Sequence, residues 1–254
     1  MMSVSLAEMQ EGRRCVAFDI AYDKTWMNML SDEGYVHALY QVMNLAPGTF
    51  LTLAPVCSSW VFMSRGTTKR TKGRPLGDQE APSVDAGNRM ASRVAILLFI
   101  ACAKRVHIVM EQPRGSLLQE HPGMQALFSR TTWYKHHILM RNFGGPTDKG
   151  TWLYSSHKLI QDLYRFRPLL KKEHIEPPQL VERYVDPSGR TCTKGGPDLK
   201  ASQAYPLECL SCSAPPQAHP SPPPPIFLYI RNSGSGLLLR YYGQRSERQC
   251  DARP

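Results

Sequence analysis

The stretch T-F-L-T-L-A-P-V-C-S-S-W, residues 49–60, passes from an apolar run into a cysteine, two serines and a tryptophan. Its first eight residues follow Pro47-Gly48 and read as a buried strand, because a strand covered on both faces shows a short, nearly continuous apolar run bounded by turn residues. A second such run, C-V-A-F-D-I at 15–20, ends in an acid. Between the two, Tyr35, Ala38, Leu39, Val42 and Met43 recur at helical spacing over 34–45, before Pro47-Gly48 closes the segment. The order is strand, helix, strand. It recurs further on, where 88–104 is apolar on most faces, as a covered helix would be, and leads into V-H-I-V-M at 106–110, which stops at Glu111 and Pro113. Residues 116–129 predict a shorter helix broken near Pro122, and 135–143 and 151–154 predict two strands flanking a Gly144-Gly145-Pro146 turn. Strands alternating with helices predict an α/β domain with a parallel sheet and right-handed crossovers.

The 254 residues, 42% of them hydrophobic, suffice for one sizeable core and a tail. The longest apolar run, 94–103, is about half of the ~20 residues a bilayer span needs, so no membrane role is expected. Residues 1–12 contain Glu8 and Glu11 and no apolar region of a secretory signal, which predicts an intracellular protein. Seven cysteines, an odd number, then predict reduced thiols rather than a disulfide framework. The formal charge of +10 favours a polyanionic partner, nucleic acid above all, against the plainer reading of a solvated basic surface. The chain divides into a domain at 1–168, a loop-rich extension at 169–208 and a Pro-rich, low-complexity tail at 209–254 that is expected to be disordered. Within that tail, 226–230 and 237–242 are apolar islands beyond the proline tract, expected to be appended sequence.

Ligands of open parallel α/β sheets bind at the carboxyl ends of the strands. Here those ends carry Asp19 and Asp23, then Cys57-Ser58-Ser59-Trp60, then Glu111-Gln112-Pro113. A cysteine there is a candidate nucleophile if cations or a helix terminus favour its thiolate; the plainer alternative is a small buried hydrophobe. Five cations come after it, Arg65, Lys69, Arg70, Lys72 and Arg74. They read either as a solvated loop or as a clamp on a phosphate backbone.

Residues 54–60, A-P-V-C-S-S-W, resemble the proline-cysteine motif of DNA cytosine 5-methyltransferases, and 110–116, M-E-Q-P-R-G-S, resemble the glutamate motif of that family in its phage-type form. Asp19 sits where the family's acid would hold the ribose of S-adenosylmethionine. Arg141 and G-P-T-D-K-G-T-W at 145–152 look like the later strand and turn of phage-type relatives. The resemblance covers roughly 16–156. It implies a Rossmann-like, doubly wound, mostly parallel sheet and an S-adenosylmethionine-dependent transfer to cytosine in DNA. Cys57, Glu111 and Arg141 would be catalytic, Asp19, Asp23 and Pro55 would hold the cofactor, and Arg65, Lys69, Arg70, Lys72, Arg74 and Lys149 would contact nucleic acid. Cys57 would attack carbon 6 of a flipped cytosine while Glu111 holds and protonates ring nitrogen 3.

The chain departs from the family pattern at several points. Val56 and Ser58 replace a proline and a glutamine. The family's Gly-rich loop comes after a strand about twenty residues ahead of the acid, whereas only 1–14 precede this run and they contain no Gly-x-Gly, so a sheet truncated at its first strand is expected. These departures leave two rival readings: a catalytically inert nucleic-acid-binding relative, and a gene fragment without independent function. Cys209-x-x-Cys212, with His219 and Cys192, lacks a second pair at finger spacing, and His136-His137 face opposite sides of a strand, so no metal site is expected. D-L-K-A-S-Q-A-Y-P at 198–206 reads equally as packing or as a phosphate or ribose contact through Lys200 and Gln203.

Overall fold

The computed structural model describes residues 15–143, 147–166, 181–196 and 227–231. It is a mixed α/β fold around a mixed sheet. The strands are β1 (Cys15–Asp19), β2 (Phe50–Ala54), β3 (His107–Pro113), β4 (Tyr134–Leu139), β5 (Gly150–Ser155), a separate antiparallel pair β6 (Val181–Val185) and β7 (Thr191–Gly195), and β8 (Phe227–Arg231). The large sheet has the order β1-β8-β2-β3-β5-β4. β2 and β3 are parallel, β5 runs antiparallel to both β3 and β4, and β8 pairs in parallel with β1 on one side and β2 on the other.

Helix α1 (Asp32–Met43) starts at Ser31, whose Oγ accepts the Gly34 N–H at 3.0 Å, and its first turn carries Asp32 and Glu33 against the positive end of the helix dipole. Helix α2 (Pro82–Ala103) has Pro82 in its first turn, where the missing N–H costs nothing. Helix α3 (Pro122–Arg130) likewise opens on proline. Phe18, Leu51, Leu53, Ile108, Met110 and Tyr154 point to one face of the sheet and join Ala38, Val42, Leu97, Leu98, Met124 and Leu127 of the three helices in one core. Leu97 and Leu98 are fully buried, and truncating either to alanine would cost about 2–5 kcal/mol. The opposite face holds a smaller cluster, Ile138, Met140, Phe143, Leu153, Ile160 and Leu163 with Val109 against it.

Several expectations change. The expected parallel sheet is mixed, because the connection from β4 to β5 is too short for a crossover helix and turns the chain straight back. The segment at 181–195, assigned to a loop-rich extension, forms a hairpin whose turn is set by Asp186 accepting from the Ser188 and Arg190 N–H groups and by Gly189 at φ +79°. Five residues of the segment expected to lie in a tail, Phe227–Arg231, form a strand inside the sheet; the rest of 209–254 lies outside the described residues. So do the Gly144-Gly145-Pro146 turn, Lys200, Gln203, Cys209, Cys212 and His219. By length and composition α2, at 22 residues, could cross a membrane, which counting only the run 94–103 did not foresee. In the fold it packs on the sheet, and its Arg93 donates to the carbonyls of Met29 and Ser31 and pairs with Asp32.

Candidate active site at the carboxyl edge of the sheet

Asp19 is level with Arg231 on β8, and Arg231 with Ala54 on β2. Leu53 is level with Met110, so Glu111, the next residue of β3, is level with Ala54. Strand alternation then puts the Asp19 and Glu111 side chains in one row, on the face turned away from the three helices. Three strand spacings separate them, roughly 14 Å. Both are buried, Asp19 at 3% exposure and Glu111 at 7%. Asp19 Oδ1 accepts the Ala21 N–H at 3.0 Å. Asp23 instead closes the next turn, accepting from the Thr25 and Trp26 N–H groups at 2.7 and 2.8 Å.

Cys57 stands three residues beyond β2, half-buried and outside any disulfide. Its carbonyl accepts the Trp60 and Val61 N–H groups at 2.8 and 3.2 Å, which winds C-S-S-W into a tight turn. That turn is tied to the exit of β3 at three points. Gln112, buried in the E-Q-P segment, donates its side-chain amide to the Pro55 carbonyl at 2.9 Å and accepts from Ser116 Oγ at 2.9 Å. Leu117 N–H donates to the Trp60 carbonyl at 2.9 Å, and Arg65 reaches the Gly115 carbonyl at 3.4 Å. The thiol-bearing turn and the glutamate strand are therefore held side by side at one edge. The expectation that Glu111 lies just past its strand changes slightly, since β3 continues to Pro113 through its pairing with β5.

Lys149, expected to face nucleic acid, instead sets its ammonium 3.5 Å from Glu111 Oε1, with its side chain 20% exposed. Among the described residues no hydrogen-bond donor satisfies that oxygen, and the buried hydroxyls of Thr147 and Thr151 find no hydrogen-bond partner there either. Thr151 is level with Pro113, two residues from Glu111 on the same face. Buried polar atoms left this way are where a ligand's own donors and acceptors complete a network. Arg141, expected to be catalytic, pairs with Asp148 at 3.0 Å on the turn that leads to Lys149. It is Lys149 that reaches Glu111.

The five-cation segment divides. Lys69, Lys72 and Arg74 are exposed and Arg65 is half-buried, with its guanidinium 5.2 Å from the ring of the exposed Phe62. Arg70, expected to contact nucleic acid, is instead 1% exposed. It stacks on Trp60 at 3.6 Å and donates to the carbonyls of Pro75 and Val84, to Asn88 Oδ1 and to Ser59 Oγ. Trp60 in turn meets His121 edge-on at 5.8 Å. Sequence reasoning missed this support for the Cys57 turn; a tryptophan and a serine just behind the cysteine were the only signals. An open recess of about 490 Å³ beside α2 and His121 is lined chiefly by apolar atoms and includes neither Cys57 nor Glu111. Among the described residues no group of three or more His, Cys, Asp or Glu side chains is placed to hold a metal.

Compared with known proteins, the chain matches no family model, no curated protein and no solved structure.

Proposed function

We propose that this chain is a Rossmann-like, S-adenosylmethionine-dependent methyltransferase acting on cytosine in DNA. The observation that carries the reading is the union of Cys57 and Glu111 at the carboxyl ends of two adjacent parallel strands, with their exit loops hydrogen-bonded to each other. Cys57, as thiolate, adds through sulfur to carbon 6 of a flipped cytosine. Glu111 holds the pyrimidine edge and protonates nitrogen 3, so that the ring's electrons are directed to carbon 5. The Lys149 ammonium orients the Glu111 carboxylate before the base arrives and is a proton donor within reach of it. When bound, the methyl donor would supply an electrophilic methyl group to carbon 5 and leave as its neutral thioether; a water molecule would take the carbon 5 proton as the Cys57 thiolate is expelled and nitrogen 3 returns its proton to Glu111. Asp19, buried in the same row, serves the ribose of the donor, and Pro55 fixes the turn between the two subsites. Asp23 acts from outside, by shaping the loop after β1.

The test is transfer of labelled methyl from S-adenosylmethionine to cytosine-containing DNA. Cys57→Ser is expected to abolish transfer while DNA retention and the thermal transition stay near wild type; undiminished transfer by that variant would remove Cys57 from the mechanism. The ion pair on Glu111 favours a second reading, a nucleic-acid-binding relative without transferase chemistry, since a carboxylate engaged by lysine is not free to meet a base. Salt-dependent DNA binding by wild type with no transfer selects it.

A further inference from the structure

We infer that the recess between α2 and the start of α3 binds a small apolar carboxylate, with its hydrocarbon over Ile96 and Phe99 and its charge toward His121, in front of Arg70. The inference stands apart from the methyltransferase reading, since this recess of about 490 Å³ includes neither Cys57 nor Glu111.

Sites for small molecules are concave, mostly apolar and roughly 300–1,000 Å³ in volume, with a few polar groups that fix orientation. Here one wall is a stripe of α2, on which Asn88, Ser92, Ile96 and Phe99 follow at intervals of three or four residues and so share a face. Leu76, on the loop ahead of α2, and the His121-Pro122-Gly123 entry to α3 form the other sides. Ile96 is 47% exposed in the middle of that stripe and Phe99 is only partly buried, so an apolar ligand would take both out of water.

The charge of the ligand follows from three observations. His121 is 4% exposed, and because its Nδ1 accepts the Gly123 N–H, its proton is on Nε2. Among the described residues no acceptor meets that donor, and the ring borders the recess. Arg70 is a cation at 1% exposure that bonds only to neutral acceptors among the described residues, with its Nε–H buried and without a partner. It donates to Asn88, part of the recess wall, and its charge acts on the His121 ring. A buried charge is costly until a counter-charge approaches it. Lastly, α3 turns the positive end of its dipole to the recess and carries no acid in its first turn. A carboxylate answers all three, whereas a neutral carbonyl would accept from Nε2–H and leave the positive charge uncompensated.

Calorimetric titration of the full-length protein with naphthoate at neutral pH tests this. Saturable binding is expected, at least tenfold tighter than that of the neutral amide, naphthamide. Ser92→Trp, at an exposed position on the recess wall, should abolish binding while the thermal transition stays near wild type. His121→Asn keeps an acceptor for the helix cap but removes Nε2–H, and should weaken binding at least tenfold. No saturable binding by wild type would overturn the site. Equal affinity for naphthoate and naphthamide would overturn the carboxylate. Undiminished binding by both variants would show that naphthoate sits elsewhere on the surface and overturn the recess as its seat.

Discussion

Arg70 shows how far one side chain can move from its compositional reading. Five cations within ten residues read as a solvated loop, yet the second arginine of the run is enclosed and bonded to four neutral acceptors. Its stacking on Trp60 joins the turn after Cys57 to the start of α2, so it works as a strut behind the candidate nucleophile. Arg70→Met should lower the free energy of unfolding by about 3 kcal/mol, because it strands the Pro75 and Val84 carbonyls and removes the stack. Denaturant titration followed by tryptophan fluorescence measures this; a loss under about 0.5 kcal/mol would mean that the guanidinium is held no better in the fold than in water. Nothing in the sequence separates Arg70 from Lys69 or Lys72, since its burial depends on Asn88 and Val84 of a helix that begins twelve residues later.

At the scale of elements, α3 begins on an unusual cap. His121 Nδ1 accepts the Gly123 N–H at 3.1 Å, which requires the neutral ring with its proton on Nε2. Burial first, and the neighbouring Arg70 charge second, lower its pKa to about 4. The unfolded chain takes up this proton near pH 6.5 and the fold only near 4, so the contribution is complete above pH 6.5 and is lost as pH falls through that window. The loss should reach about 3 kcal/mol. His121→Asn keeps an N-cap acceptor and should flatten the decline of stability between pH 6.5 and 4. A smaller slope should persist from His107, whose pKa burial and His157 also lower. Equal slopes in variant and wild type would acquit His121. Helix α1 was legible from the spacing of Tyr35, Ala38 and Val42, whereas α3, expected over 116–129 with a break near Pro122, begins only at that proline. α2 begins six residues ahead of its expected start, because Ser83 to Gly87 are too polar to show a periodicity that Pro82 nevertheless starts. The β6–β7 hairpin was hidden for another reason: Val181, Tyr184 and Val185 are exposed and follow no strict alternation, and the strands are held by a D-P-S-G turn rather than by a buried face.

For the molecule as a whole, the exposed charge left after Arg70 is subtracted is what a nucleic acid would meet. Replacing Lys69, Lys72 and Arg74 together by glutamine should reduce the slope of log K against log salt for double-stranded DNA by about 2 to 3, with little change in stability. A slope equal to that of wild type would show that these three side chains do not touch phosphate. The edge that carries Asp19, Cys57 and Glu111 was readable from the ends of three apolar runs, because parallel strands bring their carboxyl ends to one side. The strand between them was not, since Phe227–Arg231 comes after a proline tract that signals the end of folded sequence. The position of β8 also bears on biosynthesis. Its slot is bordered by two strands translated long before it, so the nascent polypeptide must keep both borders unpaired and soluble while nearly two hundred further residues emerge, a condition that invites chaperone capture or intermolecular β-pairing.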